Sequence, residues 1–339
     1  MTAKGETAKE QTARGDGWPA GVDSLLCRCC FPPAGEAVVC AVSGGPDSLA
    51  MLALAVAAGC RAHAVHVDHG LRPTGPQEAS TVQAAALALG ATFEALAVEV
   101  APGPGLEARA RQARYEVLPR GTLVGHTADD QAETLLLNLI RGAGLDGLSA
   151  MRAVGGGPRQ VRRPILKLRR QETAALVESL GLDVVRDPSN HEPRFRRNRV
   201  RHELLPLLAA VAERDPVPLL ARTAAVLAED AELLANMASD LDPADTRALR
   251  AAPKALASRA LRRWLRQEEG REHHPPSFGE LERVWAVVNG EVVACELSGG
   301  RRLSRRGGRL RLEGGPTGRV GGTGVRWRCH DRPPMTDRP

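Results

Sequence analysis

Aromatic residues make up only 3% of this 339-residue chain, with one tyrosine and four phenylalanines. Leu, Ala and Val must therefore fill most of any interior. No apolar run is long enough to cross a bilayer. The residues through Gly17 are polar and lack the hydrophobic stretch of a signal peptide. The seven cysteines, Cys27, Cys29, Cys30, Cys40, Cys60, Cys295 and Cys329, are odd in number and irregularly spaced, which argues against a secreted disulfide framework. No internal repeat is visible. These absences point to a cytoplasmic, reduced protein with no membrane partner. The length allows one large core with a smaller companion, or two modest domains.

Charge is abundant and unevenly placed. The formal net charge of +6 favours an acidic partner, nucleic acid or an anionic membrane, without choosing between them. Arginine greatly outnumbers lysine. One basic block contains Arg152, Arg159, Arg162, Arg163, Lys167, Arg169 and Arg170; a second contains Arg186, Arg194, Arg196, Arg197, Arg199 and Arg201. Exposed arginines contact phosphate through several donors. RNA recognition also needs stacking on unpaired bases; Phe195 and Trp264 could stack or could anchor a core. The plain alternative for both blocks is a solvated face.

The local patterns predict an α/β chain. Ala37–Val42, Ala62–Val67, Thr92–Val98 and Thr122–Gly125 read as strands, and Leu49–Ala58, Ala79–Leu89, Glu107–Leu118 and Asp129–Ile140 as helices. That alternation predicts a parallel sheet covered on both faces, with the site beyond the carboxyl ends of the strands. We expect a disordered extension over 1–33 (22–33 being ambiguous), an α/β domain over 34–212, a mainly helical domain with a terminal strand pair over 213–313, and a flexible tail over 314–339.

Three segments follow strands and carry chemistry. In Ser43-Gly44-Gly45-Pro46-Asp47-Ser48 the glycines let the backbone approach an anion, and amides at a helix N-terminus cradle phosphate. Ser43 and Ser48 add hydroxyl donors. Asp47 would repel phosphate unless Mg²⁺ lay between them. The spacing is neither that of a P-loop ending in Lys-Ser/Thr nor that of GxGxxG; the bland reading is a strand-to-helix turn. In His66-Val67-Asp68-His69-Gly70-Leu71-Arg72, His66 and Asp68 share a strand face. They suit nucleotide hydrogen bonding, with Arg72 near phosphate, or a self-satisfied strand end. In Gly125-His126-Thr127-Ala128-Asp129-Asp130-Gln131-Ala132-Glu133 the carboxylates occupy the first turns of a helix. Asp130 and Glu133 lie on one face. They either cap the helix or form a carboxylate site opposite the phosphate loop, which binds Mg²⁺ with Asp47, Asp129 and Asp130 as ligands or handles an amine proton. Glu107, Arg111 and Arg114 make a further helix face, a charge ladder or a contact to ATP or RNA.

The first segment resembles the SGGxDS loop of the ATP pyrophosphatases, which cleave ATP between the α and β phosphates and pass AMP to a carbonyl-type oxygen. The order HVDHGLR, ARQARY, GHTADDQAET, Arg163-Pro164, Asp187-Pro188-Ser189-Asn190 and Arg197-Asn198-Arg199-Val200-Arg201 resembles the signature set of tRNA(Ile)-lysidine synthases over residues 38 to about 208. Leu297-Ser298-Gly299-Gly300 followed by Arg301–Leu312 resembles the strand pair after the helical domain of this family, and the length leads us to expect its short form. The resemblance implies ATP and Mg²⁺ as cofactors, and CAU-anticodon tRNA(Ile) and L-lysine as partners. It leaves room for a homodimer. It implies nucleotide binding by Ser43 to Ser48, His66, Arg72 and His126, catalysis by Asp47, Arg111, Asp130 and Glu133, and tRNA contacts from Arg163, Arg197, Asn198, Arg199 and Arg201. The rival readings are a tRNA cytidine thiolase, prompted by the Cys27/Cys30 spacing, and a non-catalytic tRNA-binding protein.

Overall fold

The computed structural model describes residues 17–68, 70, 75–98, 106–155, 160–185, 187, 192–268, 271–272 and 276–314. The expected tail past residue 314 and the extension up to residue 16 lie outside them. The chain divides into two compact units, one holding residues up to Leu137 and Met151–Ala221, the other Asn138–Ala150 and Arg222–Val325.

The first unit opens with α1 (Val22–Leu26), β1 (Ala37–Ala41), α2 (Pro46–Ala57), β2 (Arg61–Asp68), α3 (Gly75–Ala88), β3 (Thr92–Ala97), α4 (Leu106–Val117), β4 (Leu123–Val124) and α5 (Ala128–Ile140). After α6 (Leu145–Leu148), which falls in the second unit, come α7 (Arg170–Ser179), α8 (Arg196–Arg199), a π-helical turn (Val200–Leu204) and α9 (Leu205–Ala212). The four strands run parallel in the order β3-β2-β1-β4, as the alternation predicts. Leu49 through Ala55 on α2 are wholly buried, so this helix is apolar all round and forms the centre of the core. It packs against both the sheet and α7. Pro46 at its first turn has no amide to leave unpaired. β4 is short, and its edge is extended by a parallel bridge in which Val124 N donates to Arg162 O at 2.9 Å. That bridge brings Arg163 to the end of the sheet.

Residues 17–33 differ from the expected disorder. Val22 is buried, and Trp18, Leu25, Leu26, Cys29 and Phe31 pack on the core. Arg28 donates to Glu172 of α7 at 3.1 Å. Apolar side chains in a polar-looking segment are enough to dock it.

The second unit continues α10 (Val217–Met237) and adds α11 (Thr246–Ala251), α12 (Lys254–Arg266), the short pair β5 (Gln267–Glu268) and β6 (Arg271–Glu272), α13 (Phe278–Asn289), β7 (Ala294–Leu297), β8 (Arg301–Arg306) and β9 (Arg309–Glu313). The expected terminal strand pair is a three-stranded antiparallel sheet, β7-β8-β9. The β8–β9 turn uses Gly307 and Gly308, both at positive φ, which suits a tight hairpin. Leu249, Leu261, Leu265, Val284 and Leu303 lie in its core, and Trp264 packs against them as an anchor.

Candidate active site

The phosphate-loop segment leaves the end of β1 and turns into α2. Gly44 has φ +82°, and a Cβ there would lie 2.4 Å from Val185 Cγ2, so only glycine fits. Its carbonyl accepts from Val185 N at 2.9 Å. Ser48 Oγ donates to Gly45 O at 2.9 Å and sits 3.2 Å from both Ser43 N and Ser43 Oγ. The loop is thus braced internally while the first turn of α2 faces a cavity of about 510 Å³. Ser43, Gly45, Pro46, Asp47 and Ser48 line it from the loop, and His66 and Asp68 from the end of β2. Gly125 and His126 line it from the end of β4, with Asp130, Arg170 and Arg201 beside them. Gly125 lets two backbones approach, since a Cβ there would meet Asp47 O at 2.7 Å. The site therefore lies beyond the strand ends, as such sheets place it.

Carboxylates and guanidiniums form one cluster at its base. Asp130 Oδ2 accepts from Thr127 N at 2.8 Å and Thr127 Oγ1 at 3.1 Å, which caps α5. Its other oxygen accepts from Arg197 Nη2 at 2.9 Å and Arg170 Nη2 at 3.1 Å. Asp130 therefore caps α5 and also lines the cavity. Burial alone would raise the Asp130 pKa, yet Arg197, Arg170 and His126 outweigh it and hold the carboxyl below its usual range. Glu133, fully buried, accepts from Arg170 Nη1 at 3.1 Å, Arg197 Nε at 2.6 Å and Arg201 Nε at 2.7 Å. Asp47 accepts from Arg170 Nε at 3.4 Å and from Thr173 Oγ1. Burial pushes its pKa up, against the opposing pull of Thr173 and Arg170.

The remaining expected residues separate. Asp129 does not line the cavity: it accepts from Arg169 Nε at 3.1 Å and from the Arg170 amide at 2.8 Å, at the N-terminus of α7. His66 is buried with Nδ1 2.9 Å from Val42 O; a carbonyl only accepts, so Nδ1 carries the proton. His126 Nδ1 accepts from Arg163 Nε at 3.1 Å, and Arg163 also donates to Arg152 O at 2.8 Å. Arg197 and Arg201, expected among RNA contacts, turn inward to Glu133, and buried Asn198 donates to Glu192 O at 2.9 Å. The π-helical turn after Arg199 belongs to the segment carrying both arginines. Arg199 is exposed and pairs with Glu203 at 2.9 Å. Arg72 and His69, Pro188-Ser189-Asn190, and the side chains of Glu107 and Arg111 lie outside the described residues. Arg114 and Tyr115 of α4 do line the cavity. Arg170, Thr173 and Val185 are essential to this geometry and were not singled out by motif; Arg170 and Thr173 share only the three-residue spacing of a helix face.

The donor set limits a metal site. Among the described residues, no group of three or more His, Cys, Asp or Glu is arranged to hold an ion. Asp47 and Asp130 nevertheless both line the cavity, and Mg²⁺ commonly takes one or two carboxylates and completes its shell with phosphate oxygens and water. That pair fits such a mode; Asp129 does not.

A parallel sheet with a braced glycine loop and an acidic–basic cavity at its strand ends defines a PP-loop nucleotide-binding protein, and the family model described as a PP-loop domain matches residues 25–208. The chain is 44% identical to the tRNA(Ile)-lysidine synthase of Rhodococcus erythropolis over 68% of this chain and 74% of that one. It is 39% identical to that of Nocardia farcinica, covering 83% and 93%, and 38% identical to that of Mycobacterium tuberculosis H37Rv, covering 81% and 90%. The chain belongs to the tRNA(Ile)-lysidine synthase family. Among solved structures, the U34-tRNA thiolase NcsA from Methanococcus maripaludis with its 4Fe-4S cluster shares the fold, with a TM-score of 0.50 and 18% identity over 61% of this chain and 78% of that one.

Proposed function

We propose that this enzyme joins L-lysine to C2 of the wobble cytidine in CAU-anticodon tRNA(Ile), using ATP and passing through an adenylated tRNA. The observation that carries this reading is the cavity itself, in which the phosphate loop faces Asp130 within a chain of this family. An oxygen at C2 is a poor leaving group and AMP a far better one, so adenylation must precede attack by the lysine ε-amine. The turn from Ser43 to Ser48 receives the triphosphate on backbone amides and the α2 N-terminus. Arg170 and Arg201 line the cavity and hold its carboxylates, both bonding to Glu133. Asp47 and Asp130 would hold Mg²⁺, which would neutralise phosphate charge. The target base has to leave the anticodon stack to enter the cavity.

Asp130 orients the lysine head group, which sheds its proton to solvent and attacks C2 as the neutral ε-amine while AMP leaves. Free lysine amines have a pKa of about 10.4, and a carboxylate held below its usual range is a poor proton acceptor. Asp130→Asn is expected to abolish lysine incorporation while much tRNA binding survives; full activity in that variant would refute the role. The thiolase alternative rests on Cys27 and Cys30, which are exposed free cysteines, whereas the relatives covered over most of their length carry the lysidine synthase name.

The direct test incubates purified protein with ATP, Mg²⁺, labelled lysine and CAU-anticodon tRNA(Ile), with methionine tRNA as control. Label in the first RNA alone is expected. Failure to consume ATP with the complete mixture, or sulfur transfer in its place, would end this reading.

A further inference from the structure

We propose that Arg170 is a positioning residue for adenylation, fixing Asp47 of the phosphate loop relative to Asp130 and Glu133. The inference rests on the ligase reading above. By composition Arg170 is one member of a basic block that could face RNA, but its guanidinium is spent elsewhere. Nε reaches Asp47 Oδ2 at 3.4 Å, Nη1 reaches Glu133 Oε1 at 3.1 Å, and Nη2 reaches Asp130 Oδ1 at 3.1 Å. Each nitrogen thus serves a different carboxylate. Two of these belong to α5 and the third to the first turn of α2.

Among the described residues, the other arginines bonded to these carboxylates hold a single helix. Arg197 bonds to Asp130 and Glu133, and Arg201 to Glu133, both carboxylates being on α5. Arg169 bonds to Asp129 at 3.1 Å and to Asp215. Arg170 also has a fixed origin, because its own amide donates to Asp129 Oδ2 at 2.8 Å. Thr173, one turn along α7, donates to the second oxygen of Asp47. The start of α7 therefore holds Asp47 by both oxygens while gripping the carboxylates of α5. A guanidinium is planar and its donors keep fixed directions, whereas an ammonium on a flexible stem is a point charge that cannot hold three partners at set angles. Without the guanidinium, Asp47 and Asp130 face each other as like charges beside the phosphate site. Small misplacements of this kind cost rate, by about 100-fold per ångström in tightly organised sites.

The test compares full-length wild type, Arg170→Lys and Arg170→Met in tRNA-dependent ATP–pyrophosphate exchange without lysine, alongside Tm and tRNA affinity. Arg170→Met is expected to lose about 100-fold in kcat, with KM for ATP changing little. Arg170→Lys is expected to keep the wild-type Tm and tRNA affinity yet remain about tenfold or more below wild type in kcat. A Lys variant with wild-type Tm and wild-type kcat overturns the positioning role. So does a loss of rate that simply follows a loss of Tm across both substitutions. A wild-type protein that shows no exchange and forms no lysidine sinks the ligase reading instead.

Discussion

At the scale of single residues, the loop glycines have different reasons to be glycine. Gly44 needs positive φ and the space beside Val185, whereas at Gly45 an added Cβ would meet only Ser43 Oγ at 3.7 Å. Gly44→Ala should therefore destabilise the fold by about 1–3 kcal/mol, read by thermal melting. Gly45→Ala should melt like wild type yet raise the KM for ATP, because its Cβ enters the cavity where phosphate would approach. Equal melting temperatures with unchanged ATP kinetics for Gly45→Ala would show that phosphate does not sit against this backbone. Glu133 makes a different case. It is fully buried among three guanidiniums, and removing the charged partner from such a set costs about 3–5 kcal/mol. Glu133→Gln should lower stability to chemical denaturation by that order, and a neutral result would mean that the cluster is wetter than the structure shows.

At the scale of elements, α13 shows how one carboxylate joins a helix to a sheet. Ser277 Oγ accepts from Glu280 N at 3.2 Å, and Glu280 reaches back to Ser277 N at 2.8 Å. The other Glu280 oxygen accepts from Ser298 N at 2.7 Å, at the end of β7. Burial would raise the Glu280 pKa, but these bonds lower it to about 2 from an ordinary 4.5. A folded pKa below the unfolded one adds stability above pH 4.5 that disappears as pH falls toward 2. Glu280→Gln should flatten that part of the acid-unfolding curve, and an unchanged curve would remove Glu280 from the account. The four parallel strands were legible in the sequence, since the alternation of strands and helices is a local pattern. The order β3-β2-β1-β4 was not legible, because pairing of β1 with β4 joins residues such as Cys40 and Leu123. The inward turn of Arg197 and Arg201 was hidden for the same reason. Their partner Glu133 lies 64 and 68 residues away, and local pattern sees only a basic run. Asp129 and Asp130 are adjacent and look interchangeable in sequence, yet helix geometry sends one to Arg169 and the other to the cavity.

At the scale of the whole molecule, the question is what the net charge of +6 does for RNA. The arginines divide into two populations. Arg170, Arg197 and Arg201 are committed to carboxylates, whereas Arg152, Arg162 and Arg196 are exposed, as is Lys167. Arg194 pairs with Glu192 and lies over the Phe195 ring at 4.8 Å. Phosphate contacts release counterions, so each adds about 0.7–0.9 to the slope of log affinity against log salt and carries no sequence information. Binding of tRNA(Ile) and methionine tRNA should thus weaken in parallel as salt rises, while lysine incorporation stays confined to the first. Arg196→Ala should weaken both RNAs alike and reduce the slope by about 1. Arg201→Ala should leave the slope unchanged and act on catalysis, because its charge already belongs to Glu133. Filter binding across a salt series measures both. A slope that falls with Arg201→Ala and not with Arg196→Ala would reverse the division, making the inward arginines the RNA surface and the exposed block a solvated face.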